Sequence, residues 1–240
     1  MTQRLYSELA PWWPLLAERE TLAEEAEHLI ALLDEAYGSP IKSLLELGCG
    51  GGGLASHIEP NREVVLTDLS ADMLAVCRTN NPNRDCILGD MRSLRLGRTF
   101  EAVLLHDAVM YLTSEADVQA AFDTAAAHLA DGGVLLVVPD VVHEHFQERA
   151  VSGGTVGRPG VQIMEWHWDP DPADTTHRLD VSVLYRDESG GMKSMHESHT
   201  LGLFPTSTFI RCLINAGLTP IDGLIWDETL MPEVFAAHKR

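Results

Sequence analysis

The sequence contains no long uninterrupted apolar run, and this absence restricts where the protein works. Hydrophobic residues make up 45% of the 240 residues, yet no stretch approaches the ~20 consecutive apolar residues of a membrane-spanning helix. The N-terminus lacks a basic region followed by an apolar segment, so a secretory signal peptide is not predicted. We therefore expect a cytoplasmic protein with no membrane partner.

Basic residues are also scarce. Lysine and arginine total 17 against 36 for aspartate and glutamate, which gives a formal net charge of −19. A field of this sign repels polyanions, whereas nucleic-acid-binding proteins typically carry basic patches. The composition therefore predicts that nucleic acid is not a partner, although a local basic cleft stays open as an alternative.

Cysteine is rare, and its spacing does not suit a zinc motif or a disulfide framework. The four cysteines are scattered along the chain, at Cys49, Cys77, Cys86 and Cys212. Two histidine pairs have spacings that turn their side chains to different sides of a helix or strand, namely His143 with His145 and His196 with His199. We therefore predict no bound metal.

Short apolar runs alternate with helical patterns through the first part of the chain. Runs typical of buried strands occur at about 43–47, 63–67, 85–88, 102–105 and 134–138. Helices are predicted before and between them, with capping signals at Thr21 with Glu24, at Ser70, and at Ser114 with Asp117. This alternation predicts an α/β fold with a doubly wound, mostly parallel sheet.

The later part of the chain has a different pattern. Strand-like segments near 161–168, 177–187 and 192–203 are joined by turn-type links, which predicts a late antiparallel strand insertion. A helix near 209–216 and a last strand near 218–226 follow. We interpret residues 1–240 as a single domain, divided into an N-terminal helical lid (1–40), a cofactor-binding core (41–140), the antiparallel insertion (160–204) and a C-terminal helix and strand (205–240).

A glycine-rich loop follows the first predicted strand. Gly48, Gly50 and Gly52 belong to a run that ends at Gly53 and leads into a helix, whose free N–H groups and positive dipole end face a ligand. The spacing Gly48-x-Gly50-x-x-Gly53 also satisfies the dinucleotide fingerprint. The loop alone indicates a cofactor site without choosing the cofactor, and a turn without a ligand stays open.

Two acidic residues narrow the choice of cofactor. Asp68 ends the second strand, where a carboxylate accepts hydrogen bonds from the hydroxyls of an adenosine ribose, although it could also cap the next helix. Glu46 precedes the loop, where a carboxylate would repel a pyrophosphate and favour a ligand bearing an ammonium and a sulfonium. The alternative is that Glu46 only caps a neighbouring helix or loop.

The order of these motifs resembles that of class I S-adenosylmethionine-dependent methyltransferases, which have a Rossmann-like fold. The resemblance spans roughly residues 43–138 and rests on Glu46-x-Gly48-x-Gly50-x-Gly52, Asp68, Gly89-Asp90-Met91 and the runs 100–105 and 129–137. It implies that S-adenosyl-L-methionine is the cofactor, converted to S-adenosyl-L-homocysteine. The cofactor-binding residues that it implies are Glu46, Gly48, Gly50, Gly52, Asp68 at the ribose, Leu69, Asp90 and Met91 at the adenine, and Leu105.

A narrower resemblance concerns the methyl acceptor. Residues 89–103, the late run 199–204 and the N-terminal Tyr6 are similar to N,N-dimethyltransferases that modify nucleotide-linked amino sugars in antibiotic pathways. The chain departs from them over 105–111, which reads Leu-His-Asp-Ala-Val-Met-Tyr. The resemblance implies a small-molecule acceptor of secondary metabolism, with N- and O-methylation both open and a homodimer as one option for the assembly.

Methyl transfer from a sulfonium is an in-line displacement, so positioning and the exclusion of water supply most of the acceleration. An amine or hydroxyl acceptor also loses a proton, and a nearby base helps. His106 follows the fourth strand and has the chemistry of a general base, or it only shapes the pocket. Tyr111 is the second catalytic candidate, with core packing as its alternative.

Further residues are candidates for contact with the acceptor or the cofactor. Asp107 would orient an imidazole or an ammonium group, or cap the next element, and His199 is a candidate for the substrate pocket. Tyr6 and Trp12, together with Trp13, would form an aromatic lid that attracts cationic sulfonium or amine groups. The alternative is that these aromatic residues only anchor the first helix.

Three other functions compete with a small-molecule methyltransferase. An NAD(P)-dependent Rossmann oxidoreductase is opposed by Glu46 and by the late antiparallel strands. A protein or nucleic-acid methyltransferase is opposed by the net charge and by the absence of an Asn/Asp-Pro-Pro-Tyr/Phe signature after the fourth strand. A non-catalytic cofactor-binding module stays open.

Overall fold

The alternation of strands and helices is present in a computed structural model, which describes residues 3–16, 22–222 and 233–240. Short 3-10 turns occur near the N-terminus and after the fourth strand, at Arg4–Tyr6, Ala10–Trp12 and Ala108–Tyr111. The α-helices are α1 (Trp13–Leu16), α2 (Ala23–Tyr37), α3 (Ala71–Asn80), α4 (Glu115–His128) and α5 (Thr206–Asn215).

The strands form a seven-stranded sheet and a four-stranded sheet. The seven-stranded sheet contains β1 (Ser43–Leu47), β2 (Glu63–Asp68), β3 (Asp85–Leu88), β4 (Phe100–His106), β5 (Leu129–Val138), β10 (Leu218–Pro220) and β11 (Phe235–Lys239). The four-stranded sheet contains β6 (Arg149–Thr155), β7 (Gly160–Trp168), β8 (Thr176–Arg186) and β9 (Met192–Gly202).

The order of strands in the larger sheet is β10-β11-β5-β4-β1-β2-β3. β3, β2, β1, β4 and β5 are parallel, whereas β11 runs antiparallel to both β5 and β10. The chain winds from β1 to β3 on one side and returns to β4 on the other, so the strand order reverses between β1 and β4. Open α/β sheets bind ligands at the carboxyl ends of such strands. The predicted Rossmann-like, mostly parallel sheet is confirmed.

Side-chain caps begin two of the helices, as the sequence indicates. The Ser70 hydroxyl accepts a hydrogen bond from the Met73 N–H at 3.2 Å, and the Ser114 hydroxyl accepts one from the Asp117 N–H at 3.2 Å. The predicted cap at Thr21 lies outside the described residues. α2 ends at Tyr37 and is followed by Gly38, whose φ of +84° is a left-handed conformation that glycine adopts without strain.

The antiparallel insertion is longer than predicted. β7, β8 and β9 correspond to the three expected strands, whereas β6 carries Arg-Ala-Val-Ser-Gly-Gly-Thr, a mostly exposed segment without the apolar alternation that identifies a strand. The small sheet buries one face, which includes Val161, Val181, Val183 and Met195. β9 packs on the turn after β4, and α1 packs on β6 and β7. The insertion therefore lies beside the carboxyl edge of the main sheet.

The far edge of the main sheet differs from the prediction. The expected last strand begins at Leu218 but ends at Pro220, and residues 223–226 lie outside the described residues. β11 was not predicted because it is short and is stabilised by its neighbours in the sheet. It inserts between β5 and β10, where Phe235 and Ala237 are buried in the core.

Apolar side chains cover both faces of the main sheet. On one face, α4 and α5 pack through Phe122, Phe209 and Leu213, and on the other α2 packs through Leu29 and Leu33. Among the described residues, no helix is long and apolar enough to cross a membrane. The burial of α2 makes it a fixed part of the core beside the cofactor loop.

The packing of α5 predicts a large cost for truncating Phe209. Its ring is 2% exposed and stacks on Phe235 with centroids 4.9 Å apart. Phe209→Ala should lower the free energy of unfolding by about 3–5 kcal/mol, because it leaves a cavity between α5 and β11. Ile214→Ala, on the same helix but 57% exposed, should change it by less than about 0.5 kcal/mol. Urea denaturation measures both, and equal effects would contradict this account of the core.

Candidate active site

The glycine loop is packed so closely that side chains would not fit at two of its positions. At Gly48, with φ +86°, an added Cβ would lie 2.3 Å from the Cβ of Ala108. At Gly52, with φ +66°, it would lie 2.6 Å from the Sγ of Cys77. The loop therefore needs glycine both for its backbone conformation and for the approach of α3 and of the turn after β4.

Hydrogen bonds hold the loop in this shape from two sides. The N–H groups of Gly48 and Cys49 both donate to the carbonyl of Thr67, each at 2.8 Å. At the end of α3, the amide of Asn80 donates to the Gly51 carbonyl and that of Asn81 to the Gly52 carbonyl, both at 2.8 Å. The sequence indicates these asparagines only as a helix end, because their side-chain contacts with the loop are non-local.

Asp68 connects β2 to the loop and to α3. One carboxylate oxygen accepts from the Gly50 N–H at 2.8 Å, and the other accepts from the Ser70 N–H at 2.7 Å. Burial raises the pKa of Asp68, although the backbone hydrogen bonds oppose that shift. The next side chain, Leu69, is 60% exposed, and an adenine ring would cover its apolar surface. Both predicted roles of Asp68, capping and ribose binding, are compatible with this geometry.

The residues predicted around the adenine lie in different surroundings. Asp90 holds Arg92 through both carboxylate oxygens, with an Nη2–Oδ2 distance of 2.7 Å, and Arg92 also reaches Asp117 at 2.9 Å. Met91 borders Gly48 in the loop. Leu105 is fully buried in the core of the sheet, so only its backbone could reach a cofactor. The roles of these residues stay predictions.

Glu46 lies inside the protein next to the loop. The residue is only 4% exposed, and its Oε2 has no hydrogen-bond partner among the described residues. Burial raises the pKa of Glu46 to about 7, although His106 and Arg84 act in the opposite direction. A buried acceptor without a partner beside a glycine loop suits a cationic ligand group, which fits the ammonium of S-adenosylmethionine.

His106 forms ion pairs at the end of β4. Its Nε2 lies 3.1 Å from Glu25 on α2 and 3.3 Å from Asp107. Burial lowers the pKa of His106, but the charges of Asp107, Glu25 and Glu46 outweigh burial and raise that pKa to about 9. A protonated imidazole cannot take up another proton, so this geometry favours a charge-pairing role. Glu25 was not predicted, because its contact with His106 is long-range in sequence; the base role of His106 stays a prediction.

The aromatic residues of the N-terminal segment divide between the loop and the insertion. Trp13 lies over Gly51, where an added Cβ would be 2.7 Å from its ring, and packs against Tyr6 with centroids 5.4 Å apart. Trp12 instead packs against Tyr185 of β8 at 4.8 Å. The Ser70 hydroxyl donates to the Tyr6 carbonyl at 2.5 Å. The N-terminal segment thus covers the loop chiefly through Trp13 and Tyr6.

Polar side chains from three distant parts of the sequence meet beside the loop. The hydroxyls of Tyr6 and Tyr111 are 2.6 Å apart, and the Tyr111 hydroxyl lies 3.0 Å from Nδ1 of His199. Nε2 of His199 lies 2.8 Å from Oε1 of Glu197. The structure therefore brings together the predicted Tyr6, Tyr111 and His199, and it adds Glu197, which no local sequence signal identifies.

Carboxylates surround this cluster. Asp107, whose φ of +52° is unusual for a residue other than glycine, follows β4, while Asp140 follows β5 and Glu165 lies on β7. Asp140 is exposed to solvent, yet desolvation by the nearby protein and the charge of Asp107 raise its pKa. We call the region between these three carboxylates and the two phenols the acidic cleft. Burial, together with these negative charges, also raises the pKa of Tyr6 and of Tyr111. The phenols therefore stay protonated beside an acidic cleft.

This fold and loop define a class I S-adenosylmethionine-dependent methyltransferase. A family model described as a methyltransferase domain matches residues 44–133, the part of the chain that carries the loop, Asp68 and Asp90. S-adenosylmethionine is thus the cofactor, and the oxidoreductase alternative is set aside.

Two curated relatives identify the family more narrowly. The chain is 33% identical over 197 residues to a dTDP-3-amino-3,6-dideoxy-alpha-D-glucopyranose N,N-dimethyltransferase of Streptomyces fradiae, covering 81% of this chain and 76% of that one. It is 32% identical over 178 residues to a dTDP-3-amino-3,4,6-trideoxy-alpha-D-glucopyranose N,N-dimethyltransferase of Streptomyces venezuelae, covering 73% and 75%. The chain belongs to the methyltransferase family that contains these enzymes.

A solved structure agrees with this assignment. The crystal structure of DesVI from Streptomyces venezuelae superposes with a TM-score of 0.79 at 26% sequence identity, over 90% of this chain and 91% of that one. The similarity extends well beyond residues 44–133, so it includes the antiparallel insertion as well as the cofactor-binding core.

Replacing Asp68 should weaken cofactor binding. Asp68→Ala removes the acceptor of the Gly50 N–H and the carboxylate predicted to hold the ribose, so affinity for S-adenosylhomocysteine should fall roughly 10–100-fold. Isothermal titration calorimetry measures this change. Asp72→Ala, an exposed acid in the first turn of α3, is the matched control and should bind normally. Unchanged affinity of the Asp68 variant would remove the ribose assignment.

The burial of Glu46 predicts a pH-dependent stability. The folded pKa of about 7 lies above the ordinary value of 4.5, so the stability that the protonated side chain contributes is lost as pH rises through that range. Glu46→Gln stays neutral, so its free energy of unfolding relative to the natural protein should rise by about 2–3 kcal/mol between about pH 5 and about pH 7.5. Urea denaturation at both pH values tests this, and a pH-independent difference would contradict it.

Proposed function

We propose that the protein transfers the methyl group of S-adenosylmethionine to an amino group of a small-molecule acceptor in natural-product biosynthesis, by direct in-line displacement. The observation that carries this proposal is the acidic cleft beside Tyr6 and Tyr111, walled by Asp107, Asp140 and Glu165. Carboxylates and aromatic faces attract ammonium groups, and they offer nothing comparable to a neutral hydroxyl. An amine acceptor therefore fits this cleft better than an alcohol.

The relatives support an amino sugar as the class of acceptor. Both are named as N,N-dimethyltransferases of dTDP-linked amino sugars. The nucleotide-linked sugar and the free amino sugar are both tested as acceptors below.

The cofactor would supply the electrophilic methyl group, and the residues of this chain would hold and orient both reactants. Gly48, Gly50 and Gly52 would receive the methionine part, with Glu46 at its ammonium. Asp68 would bind the ribose, and the adenine contacts would come from Leu69, Asp90, Met91 and the backbone of Leu105. On the acceptor side, Asp107 would face the acceptor with Tyr111, and the buried His199 would act on the acceptor through its contact with Tyr111. Tyr6 and Trp12 would help to exclude water.

His106 and Tyr111 would play different parts in this proposal. The protonated imidazole would keep the buried Glu46 and the partly exposed Glu25 in place. The proton that the acceptor nitrogen loses would pass through the hydrogen-bonded cluster that contains Tyr6 and Tyr111. Positioning supplies most of the acceleration, because the sulfonium needs no activation.

An acceptor panel tests the proposal directly. A dTDP-linked amino sugar, the free amino sugar and the hydroxyl isostere of each are incubated with S-adenosylmethionine, and added methyl groups are measured by mass spectrometry. We expect one or both amines to gain methyl groups while the isosteres do not, because the amine nitrogen is the better nucleophile and can enter the acidic cleft as an ammonium.

Two outcomes would overturn this function. Methylation of a hydroxyl isostere as fast as its amine would show that the cleft does not select nitrogen. Tight binding of S-adenosylhomocysteine without turnover across the panel would favour a non-catalytic cofactor-binding protein. As a control for cleft charge, Asp140→Asn should raise the KM for the cationic amine, whereas Asp131→Asn, an exposed acid far from the cleft, should not.

A further inference from the structure

Glu197 on β9 makes hydrogen bonds in two directions. Its Oε1 accepts from the Leu5 N–H at 2.7 Å and lies 2.8 Å from Nε2 of His199. Its Oε2 accepts from the Arg4 N–H at 2.9 Å. One carboxylate therefore holds both the first turn of the N-terminal segment and the imidazole of the aromatic cluster.

The contact with Glu197 selects the tautomer of His199. A carboxylate only accepts hydrogen bonds, so Nε2 carries the hydrogen that points at Glu197. Nδ1 of the neutral ring then presents a lone pair to the Tyr111 hydroxyl, 3.0 Å away. The His199 side chain is completely buried, so the chain of contacts ends inside the protein and opens toward the cleft only at its tyrosines.

The same carboxylate controls where Tyr6 lies. Arg4, Leu5 and Tyr6 form one 3-10 turn, whose first N–H groups have no partner within the turn. Glu197 satisfies two of these groups, and the Ser70 hydroxyl holds the Tyr6 carbonyl from the other side. Without Glu197, two donors would lose their partner and the Tyr6 phenol would lose its fixed distance to Tyr111.

The charges around this chain favour an ionised Glu197. Burial raises the pKa of Glu197, but the hydrogen bonds from His199, Leu5 and Arg4 outweigh burial and lower that pKa. The hydrogen-bonded residues are Tyr6, Tyr111, His199 and Glu197. The further charged groups that act on the two tyrosines are Asp107, Asp140 and Glu165. Those that act on Arg4 are Glu8 and Glu197.

We propose that Glu197 is a positioning residue that joins closure of the N-terminal segment to a proton path running from Tyr6 through Tyr111 to His199. This inference rests on the proposed N-methylation. The acceptor nitrogen forms a bond to the methyl carbon while the C–S bond breaks and its electron pair stays on sulfur. Before this attack, the bound ammonium gives a proton to the Tyr6 oxygen while Tyr6 gives its own to Tyr111 and Tyr111 gives its own to Nδ1 of His199, where Glu197 balances the positive charge; this frees the lone pair of the nitrogen, and the product leaves as the methylated ammonium.

Because Glu197 also holds Arg4 and Leu5, the path is complete only when the N-terminal segment is in place. A displaced segment removes Tyr6, the entry point of the path, and at the same time uncovers the glycine loop beneath Trp13. The path from Tyr6 to His199 would thus take up the proton only when the N-terminal segment covers the glycine loop, an arrangement that also excludes water.

Glu197→Gln tests this proposal, because it keeps the shape of the side chain and removes its charge. With the best amine of the acceptor panel, kcat should fall about tenfold or more, while affinity for S-adenosylhomocysteine changes by less than about twofold. The acid limb of the kcat–pH profile should move to lower pH, because the proton path holds its proton less firmly without the negative charge of Glu197. Glu197→Asp, which retains the charge, should recover part of kcat and the natural profile.

A double-mutant cycle separates the proton path from a structural role. If Tyr111 and Glu197 act on one path, adding Glu197→Gln to Tyr111→Phe should cost much less than it costs alone. Full additivity, or a loss of kcat with an unshifted pH profile, would overturn the path. Glu188→Gln, an exposed acid in the turn between β8 and β9, is the control and should behave as the natural protein.

Amide hydrogen exchange tests the anchoring without any acceptor. The Arg4 and Leu5 amides should exchange at least about tenfold faster in Glu197→Gln, while those of β4 and β5 stay protected. Unchanged exchange would overturn the anchoring. If the natural protein methylates no amine although this exchange result holds, the proposed function fails and the anchoring stands.

Discussion

The carbonyl of Thr67 is the point on which the cofactor site depends. It accepts the N–H groups of both Gly48 and Cys49, and the carboxylate of the next residue, Asp68, accepts that of Gly50. Three consecutive loop amides are therefore tied to the end of one strand. The left-handed backbone at Gly48 and Gly50 is the conformational consequence, because these amides can converge on β2 only when the chain turns back on itself.

Two other elements around this loop are α2 and the N-terminal segment, and they are held to the protein by different kinds of contact. Helix α2 is held by fully buried leucines, including Leu29 and Leu33, and contributes Glu25 to the ion pair with His106. The segment before it is attached mainly by polar contacts, such as those of Glu197 and Ser70. Elements with few buried apolar contacts open at a lower free-energy cost than core elements, so the cover over the loop is the part suited to open.

How much of this could be read from the sequence depends on the range of the interactions involved. The parallel strands, the caps at Ser70 and Ser114, and the cofactor loop follow from local patterns of apolar residues, hydroxyls and glycines. β6 and β11 do not, because one is polar and rich in glycine and the other is short and stabilised by its neighbours in the sheet.

The same distinction applies to the residues of the site. Gly48 and Asp68 belong to local motifs that their spacing identifies, and Asp90 follows from the family resemblance; their contacts with the cofactor stay predictions. Glu197 and Glu25 could not, because their importance arises from partners 192 and 81 residues away, namely Leu5 and His106. Tyr6, Tyr111 and His199 were found as separate candidates, but only the fold shows that their polar atoms form one connected chain.

The acidic cleft also bears on how a turnover ends. Methyl transfer converts a cationic sulfonium into a neutral thioether, so the spent cofactor carries one positive charge fewer than the fresh one. Surroundings that include Glu46, Asp107 and Asp140 attract a cation and gain little from its neutral successor. With the cofactor at the proposed site, the negative walls would favour exchange of S-adenosylhomocysteine for S-adenosylmethionine and would reduce product inhibition by the used cofactor.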